Sequence, residues 1–219
     1  MEIPSAPVAI FDLDYTLLEG DCEALWSQFL FEKRLVGADF VARIQDYYCD
    51  YENGRLNFVE YEEFLLHPLT MFPLETLFQL REEYLEQIRL LFRPSMLERV
   101  HWHRIQGHTP LLITASNSFL AEPIAEWLLF SNLICTQVSR DGETFDNHVE
   151  GVPAFGAGKV QLLEHWLAGH ALSLAGSWGY SDSHNDLPLL NRVDHPIAVR
   201  PDRRLGIYAH EHGWKIVSS

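Results

Sequence analysis

The chain of 219 residues carries 31 acidic and 16 basic side chains, a formal charge of −15. That excess excludes a general binder of nucleic acid or anionic membrane, which needs positive potential to meet phosphates; a small anionic substrate stays open where a metal and a lysine set the local field. With 47% hydrophobic and 21% charged residues, the chain is expected to fold as one core domain with at most a modest insertion.

In chain order, the first strong element is Val8-Ala9-Ile10-Phe11, an unbroken apolar run of the kind a parallel sheet covered on both faces requires. It stops at Asp12-Leu13-Asp14-Tyr15-Thr16. From about Glu23 to Leu91 the apolar residues recur at helical spacing (Leu25, Phe29, Leu30; Phe40, Ile44, Tyr47, Tyr48; Phe58, Tyr61, Phe64, Leu65), with breaks at Gly54, Pro68, Pro73 and Pro94. This predicts a helical insertion directly after the first strand. Further strands are predicted at Pro110–Ile113, Leu133–Cys135, Ser177–Tyr180 and Pro196–Val199. Helices are predicted at Phe119–Leu129, Lys159–Leu167, Leu187–Asn191 and Arg203–His212. Ser139–Val152, with Asp141-Gly142 at its turn, reads as a hairpin. The alternation defines an α/β fold: a doubly wound, Rossmann-like parallel sheet over 1–20 and 92–219, with a helical cap over 21–91.

Cys22, Cys49 and Cys135 form no C-x-x-C pair, so neither a disulfide framework nor a cysteine zinc site is expected. The histidines at 101, 103 and 108 suggest zinc at first sight, but positions two apart on a helix point to different faces. Met1–Ser5 carries no basic leader, and no stretch reaches the about 18 apolar residues of a membrane span. A cytoplasmic location is the expectation.

Four segments fall at predicted strand ends or helix starts, where open α/β sheets bind ligands. Asp12 and Asp14 stand two residues apart and repel unless a cation or a shared proton separates their roles. Thr114-Ala115-Ser116-Asn117 offers hydroxyls and turn amides to an anion. Gly156-Ala157-Gly158-Lys159 places a lysine in the first turn of a helix, and Asp182-Ser183-His184-Asn185-Asp186 adds two more carboxylates. Hard oxygen donors in this number suit Mg²⁺, and the lysine and amides suit phosphate.

In order and type, these segments resemble the haloacid dehalogenase superfamily, whose motifs are D-x-D-x-T, a strand-end Ser/Thr, a lysine and D-x-x-x-D. An insertion between the first and second motifs is similar to the helical cap of the phosphoserine phosphatase branch. The resemblance implies a phosphomonoesterase with Asp12 as nucleophile and Asp14 as general acid and base. It implies that Thr114 and Lys159 hold the phosphoryl group, with Ala115, Ser116 and Asn117 beside it. Mg²⁺ would sit on Asp12, Asp182 and the Asp14 backbone carbonyl, and Asn185 and Asp186 would support the lysine and the metal waters. A phospho-receiver or a catalytically inactive module on the same scaffold is the non-enzymatic alternative.

The stretch Gly54-Arg55-Leu56-Asn57-Phe58 resembles the cap segment of phosphoserine phosphatases, which place a carboxylate-binding arginine seven residues after the phenylalanine. Here that position is Leu65, among Glu60, Glu62 and Glu63. Asp21 occupies the place of an acid that meets the substrate amine, and His184 faces the site by position. A cap with acids and no arginine suits a cationic phosphomonoester, unless the glutamates are simply a solvated helix face. The runs Phe11–Asp21, Ile113–Asn117 with Pro123-Ile124-Ala125, and Tyr180–Leu190, together with the ending Ala198-Val199-Arg200-Pro201-Asp202 and Gly213-Trp214, are similar to a bacterial group that includes histidinol-phosphate phosphatases. Histidinol phosphate and phosphoserine are the competing substrates; the oligomeric state is not legible.

Overall fold

The computed structural model describes residues 6–142 and 144–218. Met1–Ser5, read above for a leader, lies outside them, as do Glu143 in the hairpin and Ser219. Val8–Phe11 (β1) is the central strand, and its four apolar side chains are fully buried. It pairs in parallel with Thr109–Asn117 (β2) on one side and Trp178–Ser181 (β5) on the other, aligning Phe11 with Leu112 and Tyr180. Leu133–Asp141 (β3) and Thr144–Glu150 (β4) lie beyond β2, and His195–Val199 (β6) and Lys215–Val217 (β7) beyond β5. The order is β4-β3-β2-β1-β5-β6-β7, with β4 alone antiparallel to its neighbour. The chain builds outward from β1 through β2 and β3, then returns to β5 on the other flank. The connections on the two sides therefore diverge at the carboxyl end of β1 and open a crevice there.

Between β1 and β2 the described chain forms two short 3₁₀ turns and five α-helices, the first four being Cys22–Glu32 (α1), Ala38–Glu52 (α2), Phe58–Leu66 (α3) and Leu74–Ile88 (α4). Where the chain leaves and re-enters the core, its two strands run side by side: Glu19 N donates to the Leu91 carbonyl at 2.8 Å and Arg93 N to the Leu17 carbonyl at 2.8 Å. The insertion divides by its packing. Trp26, Phe29 and Leu30 of α1 and Leu77, Tyr84 and Ile88 of α4 belong to the same buried cluster as Phe11, Leu112 and Phe119. Ile44 and Tyr47 of α2, with Tyr61 and Leu65 of α3, form a separate small cluster.

The remaining helices are Pro94–Ile105 (α5), Ser118–Trp127 (α6), Ala157–His170 (α7), Leu187–Leu190 (α8) and Arg203–Glu211 (α9). The five predicted strands are all present, and three differences have physical reasons. β2 runs four residues past Ile113, because its register with β3 shifts between Ile113 and Asn117 and the strand bends out toward the crevice. α5 escaped the periodicity because it buries a narrow stripe, Met96, Val100 and His103, one of which is a histidine. β7 is three residues long with two exposed side chains, too little pattern to register.

Candidate active site

Every chemical motif ends at the one crevice. Asp12 follows the last residue of β1, and its backbone N–H continues the ladder onto the Tyr180 carbonyl at 3.0 Å. The chain then turns tightly, with the Leu17 and Leu18 amides both donating to the Leu13 carbonyl at 2.8 and 3.0 Å. Tyr15 adopts a left-handed φ of 54° in this turn. Thr114–Asn117 occupies the bent end of β2, and Asp182 follows β5. Lys159 stands in the first turn of α7. Gly158 before it is required by packing: a Cβ there would lie 2.1 Å from the Pro153 carbonyl oxygen.

Lys159 is 3% exposed, and its Nζ donates at 2.8 Å to both Asp12 Oδ1 and Asp186 Oδ2. Burial alone would lower its pKa, but the two carboxylates raise it above the ordinary lysine value, so it stays charged. Asp186 is fixed in turn by the Ser181 hydroxyl at 2.7 Å. The Thr16 hydroxyl lies 3.3 Å from Asp12 Oδ2 and 3.2 Å from Asp182 Oδ1, which brings those two carboxylates to one point. Asp14 accepts from Cys22 N at 2.7 Å and from the Ser116 hydroxyl, with the Thr114 hydroxyl 3.5 Å away.

The electrostatics follow from this crowding. Burial, partly offset by Lys159, lifts Asp12 to about 6. Burial together with Asp21 and Asp12 lifts Asp14 to about 7, and burial with Asp12 and Asp186 lifts Asp182 well above its ordinary value. Four carboxyls thus surround one ammonium, an imbalance that a divalent cation relieves. Among the described residues no third carboxylate, imidazole or thiolate completes a protein cage for a metal. Asp12 and Asp182 with a backbone carbonyl fit Mg²⁺, which binds through one or two carboxylates and keeps its waters.

The crevice widens into a cavity of about 890 Å³ beneath α2 and α3. Asp12, Asp14, Ala115, Ser116, Lys159, Asp182, His184, Asn185 and Asp186 line it, as does Asp21. Asp21 caps α1, accepting from the Glu23 and Ala24 amides at 2.9 Å, and takes the Tyr48 hydroxyl at 2.9 Å on its other oxygen. His184 is held by Asp202 at 2.7 Å through Nδ1 and faces Arg204 at 3.1 Å through Nε2.

Thr114 is fully buried beside Asp14 and Ser116 and does not itself line the cavity, and two further predicted residues are placed elsewhere. Asn117 turns from the phosphate end: its backbone N–H and side-chain amide donate to Glu23 Oε1, and its Oδ1 caps α6 at Leu120 N. Glu60 is exposed on α3, beside the Tyr47 hydroxyl at 3.4 Å, outside the cavity lining. Glu23, Arg93, Arg203 and Arg204, which no motif singled out, also line the cavity, as does Arg200 of the C-terminal run. The aromatic residues of α2 divide: Phe40 stacks on Phe64 in the small cluster, while Tyr47, Tyr48 and Tyr51 reach the cavity wall. His103 and His108 meet at 2.8 Å through their Nδ1 atoms, with His103 Nε2 on the Tyr180 hydroxyl at 2.9 Å, a hydrogen-bonded chain behind the sheet.

The family model for haloacid dehalogenase-like hydrolases matches residues 9–191. The chain belongs to that family, and its fold and site define a phosphoric monoester hydrolase. A histidinol-phosphatase from Neisseria meningitidis serogroup C (strain 8013) is 37% identical over 218 residues, spanning 96% of this chain and 98% of the relative. A protein of unknown function from Bordetella pertussis Tohama I superposes with a TM-score of 0.89 at 34% identity, over 98% of this chain and 99% of that one. A substrate-bound phosphoserine phosphatase shares the fold with a TM-score of 0.75 at 15% identity, covering 99% and 95% of the two chains. Among the described residues no helix is long and apolar enough to cross a membrane.

Proposed function

We propose that this hydrolase is a Mg²⁺-dependent phosphatase that works through an aspartyl-phosphate on Asp12, with histidinol phosphate as its substrate. The observation that carries the reading is the pair of unlike carboxyls, Asp12 held by the buried Lys159 and Asp14 lifted to about 7 beside it. Asp12, Asp182 and the Asp14 carbonyl would hold Mg²⁺, which would supply charge neutralisation for the phosphoryl oxygens. The Asp12 carboxylate attacks phosphorus while the ester P–O bond breaks and the leaving oxygen takes the Asp14 proton. Water then attacks the aspartyl-phosphate, giving its proton to Asp14, and the P–O bond to Asp12 breaks to release phosphate. Lys159, the Thr114 and Ser116 hydroxyls and the Ala115 segment hold the transferring group. Asp186 and Asn185 act as supports for the lysine and the metal waters. Residues 21–91 act as the cap over the site, and a cytoplasmic location fits a small phosphomonoester as the partner.

Histidinol phosphate is favoured because the leaving-group end of the cavity is acidic and aromatic. Leu65 is buried in the small cluster, and no arginine from α1–α4 lines the cavity. The relative of 37% identity named a histidinol-phosphatase supports the same choice. One observation favours a carboxylate-bearing substrate such as phosphoserine instead: Arg93, Arg200, Arg203 and Arg204 line the core side of the cavity. Of these, Arg93 and Arg200 already face Glu19 at 3.6 and 3.3 Å. Phosphate release from an aryl phosphate, dependent on Mg²⁺ and lost in Asp12→Asn, is the expected result; absence of turnover with Mg²⁺ would contradict the enzyme reading.

A further inference from the structure

Behind Asp21, at the end of the cavity away from Lys159, two glutamates are buried together. Glu23 on α1 is 5% exposed and lines the cavity, and Glu62 on α3 is 0% exposed and lies behind it. Asn117 directs both of its N–H groups at Glu23 Oε1, and the Glu23 carboxyl lies against that of Glu62, so no protein N–H donates to Oε2 among the described residues. No donor meets either oxygen of Glu62 in good hydrogen-bond geometry among them, although its carboxyl lies against Glu23 and the Asn117 amide. A second, independent group points the same way. Tyr61 lines the cavity, is 8% exposed, and its buried hydroxyl is unpartnered.

Buried polar groups are normally paired, and an unpaired buried acid is costly. Three carboxyls, Glu23, Glu62 and Asp21, crowd this corner beside the Tyr61 hydroxyl, and no lysine or arginine from α1–α4 lines the cavity. Burial, with Glu62 and Asp21 nearby, lifts Glu23 well above its ordinary value, and burial lifts Glu62 to about 7. A positively charged N–H group is the ligand chemistry that satisfies such a corner; a carboxylate or a further phosphate is repelled. The acids suggested by sequence are less available for this. Asp21 has both oxygens engaged, and Glu60 is outside the cavity.

We propose that Glu23, through Oε2, and the Tyr61 hydroxyl form the subsite that receives a cationic nitrogen of the leaving group, with Asn117 and Glu62 positioning Glu23. This rests on the phosphomonoesterase reading of the cavity and names the residues that set its substrate class. Because Asn117 directly follows Ser116 on the bent end of β2, one short segment carries both the phosphate end and the support for the cation end. The distance between the two is thereby fixed, and an amino-alcohol phosphate of matching length is selected.

The test is calorimetric binding in the Asp12→Asn background with Mg²⁺, so that it does not depend on turnover. The probes are histidinol phosphate and 2-phenylethyl phosphate, the second an uncharged aromatic ester that separates charge from stacking. The parent is expected to bind the cationic ester about tenfold more tightly or better. Adding Glu23→Gln is expected to cut that ratio by about tenfold, and adding Tyr61→Phe by a few-fold. A parent without preference, or a ratio unchanged in both variants, overturns the subsite. If Glu23→Gln fails to fold by circular dichroism, Tyr61→Phe decides by the same ratio: a few-fold fall supports the subsite and an unchanged ratio overturns it. Failure of the phosphatase reading appears separately, as no phosphate release from either ester by the Asp12 protein with Mg²⁺.

Discussion

Lys159 Nζ lies 2.8 Å from Asp12 Oδ1, and both residues are buried although they come from opposite ends of the core, 147 positions apart. In the proposed mechanism an ammonium in that place neutralises charge on the phosphoryl group as it moves to Asp12. Lys159→Met keeps length and removes charge, leaving Asp12 and Asp186 without their cation. We expect kcat to fall by about 10²–10³-fold, measured by phosphate release. Lys159→Arg is expected to fall nearly as far, because a planar guanidinium does not replace a compact ammonium in a closed slot.

In the proposed mechanism Asp14→Asn removes the proton donor for the leaving oxygen. The loss in kcat is expected to be about 10²–10⁴-fold for an alkyl ester. For p-nitrophenyl phosphate the loss is expected to be smaller, since that leaving group needs no proton. Equal losses on both esters would assign Asp14 to something other than acid catalysis.

The acid cluster predicts a pH dependence of stability. Asp12 at about 6 and Asp14 at about 7 titrate above their ordinary 3.8. Between about pH 4 and 7 the folded state therefore holds more protons than the unfolded one, and stability falls as pH rises through that window. His103 works in the opposite sense at lower pH. Burial and then His108 lower it to about 3 from 6.5, so its contribution is lost as pH falls below 6.5. Mg²⁺ binds the ionised carboxylates, so the gain in Tm on adding Mg²⁺ is expected to be larger at pH 8 than at pH 5, and to shrink in Asp12→Asn.

Contacts between α2–α3 and the core ring the cavity mouth. The Tyr51 hydroxyl meets Ser183 at 2.6 Å, Arg204 donates to the Glu52 carbonyl at 3.2 Å, and Phe58 stacks on Phe155 at 4.5 Å. Since α2 and α3 carry their own small cluster while α1 and α4 share the main core, these contacts are the ones that opening must break. Phe155→Ala and Arg204→Ala are expected to raise KM and change kcat together, and to speed proteolysis within α2–α3. Unchanged KM and protection would place the moving part elsewhere.

The sheet and the gathering of Asp12, Asp14, Lys159, Asp182 and Asp186 at one crevice were legible because their signals are local. Val8–Phe11 is an unbroken apolar run, and each reactive residue directly follows such a run or opens a helix. The leaving-group end was not legible. Glu23 sits in a helix whose other buried residues, Trp26, Phe29 and Leu30, define an ordinary apolar face, and its meaning comes from Asn117, 94 positions away. Asn117 itself looked like part of the anion-binding turn, and only the bend of β2 turns its amide toward Glu23. Likewise Glu60 and Glu62 are neighbours in sequence, but helical rotation exposes the first and buries the second.

The choice of substrate rests on the acidic corner, and a direct comparison of kcat/KM for histidinol phosphate and phosphoserine with the Mg²⁺-loaded protein tests it. The acid-lined leaving-group end predicts a preference for histidinol phosphate of at least about tenfold. Equal rates, or a preference for phosphoserine, would contradict it and assign the rim arginines to a substrate carboxylate.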